Sequence, residues 1–280
     1  MTTETGTVRA PEATGRARRL VEGTAFVGVW IALGYLLPVD PNAYLLLGIP
    51  LTLAFQLLVR RRPVRELWMR DGERFRLDRA GSAMAILLAV TPVVTLVQAI
   101  GAGSWSMTVW AVAAAAGAVP AAWAFRRTRF VSTVLHALPT VLVGGVVIAL
   151  SSLVQPLATG GQVDLLGMLG VGLFSALQYL PAVFVLEEVA FRGALDAHVQ
   201  HPGERGGVAT AVFFSAAWGA WHLPISTTPG QPLWASLAGV VVISVVLGVP
   251  LCWAWRRTGS LAAPGLGHAV YDGLRNAVLS

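Results

Sequence analysis

The run LWASLAGVVVISVVLGVPLCWA, residues 233–254, holds no charged side chain. As a helix rising 1.5 Å per residue it would reach about 33 Å, enough to cross a hydrocarbon core of about 30 Å. The rest of the chain is of the same kind. Of its 280 residues 55% are hydrophobic and 12% charged, with a mean hydropathy of +0.68, too apolar and charge-poor for a soluble domain of this length. Barrel strands would be half as long and alternating. The expected fold class is all-α, a polytopic transmembrane bundle of about eight or nine helices.

Spans are expected near residues 24–38, 43–60, 82–101, 104–125, 132–153, 180–200, 207–223, 233–254 and 259–277. The glycine-broken stretch VDLLGMLGVGLFSALQ, residues 163–178, reads either as an interfacial segment or as the start of a helix running past Pro181. Residues 1–20 are expected to be a disordered cytoplasmic N-terminus, 21–160 a set of N-terminal transmembrane helices, and 161–280 the part carrying the chemistry. No small-residue cleavage site follows the first span, which reads as retained and not as a signal peptide. The single Cys252 sits in an apolar run and reads as a core residue.

Basic residues set the orientation. The chain has no lysine; Arg16, Arg18 and Arg19 precede the first span, Arg60, Arg61, Arg62 and Arg65 lead a basic loop up to Arg79, Arg126, Arg127 and Arg129 follow the fourth, and Arg256 and Arg257 follow the eighth. The alternate loops carry none, so the N-terminus and the arginine loops are expected in the cytoplasm. The net charge of +6 fits anionic lipid headgroups. No zinc knuckle or RNA-binding signature accompanies it, so the expected partner is the bilayer and no nucleic acid.

Against this background VLEEVAFRG, residues 185–193, stands out. Charged groups at bilayer depth are expensive and normally carry function. Glu188 and Arg192 stand at i and i+4, which explains them as a structural pair. Glu187 is left needing a group from another helix. SAAWGAWHLP places His222 one turn after Trp218, and GLGHAVYDG places His268 and Asp272 at i and i+4. The intervening turn HPGERGG sets Glu187 and His222 at nearly the same depth in an antiparallel hairpin, and His268, about 16 Å past Arg257, reaches the same layer. A carboxylate beside a neutral imidazole can deprotonate water and deliver the proton to a leaving amine, while a second imidazole and its partner hold the oxyanion. Peptide hydrolysis uses those parts. No H-E-x-x-H, G-x-S-G or G-x-G-D signature offers another protease design.

EEVAFRG resembles the E-E-x-x-x-R motif of the CPBP family, the CAAX protease and bacteriocin-processing intramembrane proteases also called Abi or lysostaphin-resistance-like proteins. Trp218 to His222 is similar to its F-x-x-x-H motif and His268 to Asp272 to its H-x-x-x-N motif, the resemblance covering about residues 180–275. It implies an intramembrane glutamic endopeptidase, CAAX prenyl protease 2-like, in a bacterial plasma membrane, acting on a membrane-associated peptide or protein, with a lipidated one among the candidates. Glu187 and His222 would activate water, His268 and Asp272 would form the oxyanion pair, and Glu188 and Arg192 would brace the site. Two positions depart from the pattern. Tryptophan for phenylalanine at 218 is expected to keep an aromatic wall and alter pocket shape more than chemistry. Aspartate for asparagine at 272 matters more, because a carboxylate accepts hydrogen bonds and repels an oxyanion.

No cofactor is expected; zinc on Glu187, His222 and His268 is the alternative left open, since two histidines and a glutamate are a recognised zinc set. His198 and His201 read as solvated loop residues and His136 as a packing residue. The competing function class is a non-catalytic membrane scaffold, immunity protein or transporter that retains the polar intramembrane cluster.

Overall fold

Helix α1 (Ala13–Leu36) is followed by α2 (Pro41–Leu46), α3 (Gly48–Ala54), a π-helical turn Phe55–Val59 and a 3₁₀ turn Val64–Leu67. Then come α4 (Arg79–Gly101), α5 (Trp105–Arg127), α6 (Phe130–Thr159) and α7 (Leu165–Ala182). A π-helical segment Val189–Asp196 leads into α8 (Ala197–Val199), α9 (Gly207–Trp221), α10 (Leu223–Ser226), α11 (Leu233–Thr258) and α12 (Ala262–Leu279). This computed structural model describes residues 13–72, 74–159, 165–200, 207–226 and 232–279. Among them no strand occurs beyond one isolated bridge between Met69 and Ser260.

Among the described residues six helices are long and apolar enough to cross a membrane: Gly15–Leu36, Pro41–Val59, Arg79–Gly101, Trp105–Arg127, Phe130–Ala149 and Leu233–Thr258. Two shorter apolar helices, Leu166–Ala182 and Gly207–Trp221, join them. Ile86, Leu87 and Val97 on α4 and Phe130, Val131 and Leu135 on α6 turn most of their surface outward. In water that face would be a liability; in hydrocarbon it is the solvent-facing side. The chain is an integral membrane protein with an all-α helix-bundle fold.

Small residues set how closely the helices approach. Helix α12 packs on α7 and on α6, and α9 packs on α11. A Cβ on Gly219 would stand 2.7 Å from the Val241 Cα, so α9 meets α11 backbone to backbone, and a Cβ on Gly273 would press on the Gly172 carbonyl. Such contacts supply the association that lipid, as apolar as leucine, does not drive. Trp30, Tyr44, Phe191 and Trp221 form an aromatic knot, with the Trp30 and Trp221 rings 4.8 Å apart and all four side chains buried. Trp30 Nε1 donates to the Tyr44 carbonyl at 3.0 Å and the Tyr44 hydroxyl donates to the Trp221 carbonyl at 2.8 Å. The N-terminal helices thereby hold the end of α9 one residue before His222.

Several elements differ from the sequence reading. Residues 13–20, expected within the disordered N-terminus, are helical in α1; Arg18 pairs with Glu22 one turn on, at 2.8 Å, an i, i+4 contact that supports the helix there. Residues 1–12 and 201–206, with His201, lie outside the described residues. The span expected at 43–60 is met by Pro41–Val59; Leu47 only interrupts its regularity between α2 and α3, with Leu47 N bonding the Ala43 carbonyl and Leu51 N the Leu47 carbonyl, and Asp40 and Pro41 supply the cap and first-turn proline that start α2. The span expected at 180–200 is not one regular helix. Helix α7 ends just past Pro181, whose missing N–H weakens the ladder, and tighter bonds follow from Phe184 N to the Pro181 carbonyl and from Val185 N to the Ala182 carbonyl. The Glu188 amide then reaches the Val183 carbonyl, a five-residue π-type bond, at 3.0 Å. His198, expected in solvent, is largely buried and its Nε2 lies 2.8 Å from Glu22 Oε2, because α1 packs beside it.

Candidate active site

The irregular passage from α7 into the π-helical segment is what aims the two glutamates. A π-turn adds a residue per turn and re-directs side chains, and such bulges are frequent at functional sites. Gly193 lets this segment meet the 3₁₀ turn: a Cβ there would collide with the Leu67 carbonyl. Arg60 Nη1 also donates to the Gly193 carbonyl at 2.8 Å, and Trp68 Nε1 to the Phe184 carbonyl at 2.6 Å. Arg60 and Trp68, both after α3, therefore hold the passage at Gly193 and at Phe184.

Glu187 is the more accessible glutamate. Its Oε2 accepts from Trp218 Nε1 at 2.9 Å and lies 3.8 Å from His222 Nε2. His222 Nδ1 is 2.9 Å from the Trp218 carbonyl. A carbonyl only accepts, so Nδ1 carries the proton, and in the neutral ring Nε2 is an acceptor turned toward Glu187. The sequence arithmetic that set Glu187 level with His222 is met by this contact. The expectation for Trp218 is corrected: tryptophan in place of phenylalanine does more than shape a wall, because its indole N–H is a hydrogen-bond donor to the Glu187 carboxylate.

Glu188 is fully buried. Its Oε1 accepts from Arg192 Nη1 at 3.0 Å and lies 2.8 Å from His268 Nδ1. The Arg192 guanidinium also lies over the Trp218 ring at 4.6 Å, a cation–π contact that ties the pair to the aromatic wall. His268 Nε2 faces Asp272 Oδ2 at 3.5 Å. An acceptor oxygen thus lies opposite each ring nitrogen, at hydrogen-bond distance for Glu188 and at the longer 3.5 Å for Asp272. Asp272 Oδ1 in turn lies 2.8 Å from Arg275 Nη1. The expected His268–Asp272 pair is present, but inside a longer chain running Arg192, Glu188, His268, Asp272, Arg275. Arg275 was missed from sequence, although its i+3 spacing from Asp272 in YDGLR was a readable signal.

Glu187, Trp218, His222, His268, Asp272 and Arg275 line one cavity of about 320 Å³, with Tyr179, Tyr271 and apolar side chains of α11 completing it. Cys252 is buried in the core as expected, and His136 Nδ1 bonds the Ser132 carbonyl at 2.8 Å, within its own helix.

Among the described residues no three His, Cys, Asp or Glu side chains converge as a ligand set. His268 bonds Glu188 through Nδ1 at 2.8 Å and turns Nε2 to Asp272 at 3.5 Å.

Residues 165–274 match the family model described as type II CAAX prenyl endopeptidase Rce1-like. The match is to the segment that builds the cavity. The Rce1-like region takes in Glu187, Glu188, Arg192, Trp218, His222, His268 and Asp272, and it agrees with the resemblance seen in the three motifs. Arg275 is the first residue beyond it. No curated protein and no solved structure matches the chain.

Proposed function

We propose that the protein is an intramembrane endopeptidase of the CAAX type, hydrolysing a peptide bond of a membrane-associated peptide or protein with water activated by Glu187 and His222. The observation that carries this reading is the 3.8 Å separation of Glu187 Oε2 and His222 Nε2 at the wall of a cavity, with the imidazole tautomer fixed by the Trp218 carbonyl. One water fits between them at about 2.8 Å from each acceptor. Both of its hydrogens are then bound and its lone pairs face the cavity.

In the reaction Glu187 takes a proton as the water oxygen bonds to the scissile carbonyl carbon, giving a tetrahedral oxyanion. His268 Nε2–H, which faces the cavity beside Asp272, is the donor that meets the oxyanion. The C–N bond then breaks, the proton held by Glu187 passes to the leaving nitrogen, and an acid and an amine result. Glu188 and Arg192 hold His268 in place. No step passes through a metal. A lipidated substrate suits a site reached through apolar helices, and the positive-inside rule applied to the arginine loops supports a cytoplasmic N-terminus.

The test is cleavage of a quenched peptide library by the full-length protein in detergent, with Glu187→Gln and with a zinc chelator. Cleavage that is lost in the variant and survives the chelator supports the reading. Loss on chelation makes the protein a zinc enzyme, and no cleavage by any form returns it to the scaffold, immunity or transporter class.

A further inference from the structure

We infer that Arg275 is a positioning residue that neutralises Asp272 and so makes aspartate serviceable at a position where the resembling motif has asparagine. The inference rests on the endopeptidase reading above and names a residue outside the matched segment.

A bare carboxylate at 272 would do two kinds of harm. It would bind His268 Nε2–H, the group needed by the oxyanion, and it would repel the oxyanion directly. The asparagine amide does neither, because it is neutral and carries two N–H donors. The Asp272 side chain is 4% exposed, so water does little to screen it, while that of Arg275 is 40% exposed. Arg275 sits one turn further along α12 with Nη1 at 2.8 Å from Oδ1, whereas His268 faces the other oxygen, Oδ2, at the longer distance of 3.5 Å. The two oxygens are thus divided: the guanidinium takes one in a close charge-assisted contact, and the imidazole is left only loosely held by the other. Arg275 is itself fixed, since Nε and Nη2 donate to Asn276 Oδ1 at 3.2 and 3.1 Å and the guanidinium lies 6.0 Å from the centre of the Tyr179 ring. Asn276 Nδ2 donates to Ser175 on α7 at 3.3 Å, which anchors the unit to the helix that leads to Glu187. Together Asp272 and Arg275 present a neutral pair with N–H groups at the cavity wall, the property that asparagine supplies alone.

The experiment is a double-substitution cycle in the full-length protein with Arg275→Gln, Asp272→Asn and both together, reading kcat, KM and unfolding temperature. Arg275→Gln should lower kcat at least about 10-fold with KM changing less than about 2-fold, and in the Asp272→Asn background the same change should alter kcat less than about 3-fold. Equal losses in both backgrounds, or no loss in the Asp272 background, would overturn the inference. If the wild type cuts no peptide, the endopeptidase reading fails, and the unfolding temperatures still decide the pairing. A drop on Arg275→Gln that vanishes in the Asp272→Asn background supports neutralisation; the same drop in both refutes it.

Discussion

Replacing Glu188 by leucine and Glu187 by glutamine should separate two adjacent residues of the same type into a brace and a base. Glu188 is fully buried and holds two cationic partners, Arg192 at 3.0 Å and His268 at 2.8 Å. Removing one member of a buried pair leaves an uncompensated charge and costs about 3–5 kcal/mol. Glu188 Oε2 and Arg192 Nε and Nη2 make no hydrogen bond, so the network is only partly satisfied and the lower half of that range applies. At about 2–4 °C per kcal/mol for a chain of this class, Glu188→Leu should lower the unfolding temperature in detergent by roughly 6–16 °C. Glu187 is 14% exposed, and glutamine keeps an acceptor for Trp218, so Glu187→Gln should move it by less than about 4 °C, the effect of about 1 kcal/mol. Its cleavage rate, by contrast, should fall by a factor on the order of 10²–10⁴. Differential scanning fluorimetry beside a peptide-cleavage assay reads both. The reasoning is refuted if Glu188→Leu unfolds within about 2 °C of the wild type, or if Glu187→Gln is as destabilised as Glu188→Leu.

Trp218→Phe keeps the ring but deletes the donor to Glu187, a hydrogen bond to a charged group worth about 1.5–3 kcal/mol; kcat should change while unfolding in detergent shows the ring wall intact, and an unchanged kcat would contradict the assigned contact. Gly193→Ala drives a methyl into the Leu67 carbonyl, an overpacking loss of about 1–3 kcal/mol that should appear as a lower unfolding temperature, with Gly28→Ala, where nothing stands in the way, as the near-neutral control. The Asp40 carboxyl, outside the spans, is held below the usual carboxylate range by the Ala43 amide and then the Ser106 hydroxyl. Its capping contribution is therefore present above the ordinary carboxylate value and lost as pH falls through the lowered one. Asp40→Ala should destabilise by about 1 kcal/mol at neutral pH, and a pH titration of unfolding should show that difference vanish only on the acid side.

Much of the bundle was legible because hydrocarbon imposes one rule on every span: about 20 apolar residues with backbone bonds closed internally. That rule found α4, α5 and α11 with their ends near the basic loops. It did not find the irregular passage after Pro181, which is held by side chains from more than 100 residues away, Trp68 on the Phe184 carbonyl and Arg60 on the Gly193 carbonyl. The site was legible through charge: Glu187, Glu188, His222, His268 and Asp272 are costly in apolar helices, and helix arithmetic set Glu187, His222 and His268 at one depth. What sequence spacing did not show was the pairing. Which oxygen of Asp272 meets His268, and that Arg275 takes the other, follows from side-chain direction on α12. The Trp218 donor was hidden for a similar reason, because an aromatic residue reads as packing until its N–H is seen beside a carboxylate.

The central claim is that Glu187 and His222 act on one water as a unit. The most direct measurement is the single-turnover cleavage rate of Glu187→Gln, His222→Asn and the double variant. Groups that share one function are strongly non-additive, so the double variant should cleave no more than about 3-fold slower than the slower single variant. A double variant slowed by the product of the two single losses would contradict the shared water and assign the two residues to separate steps.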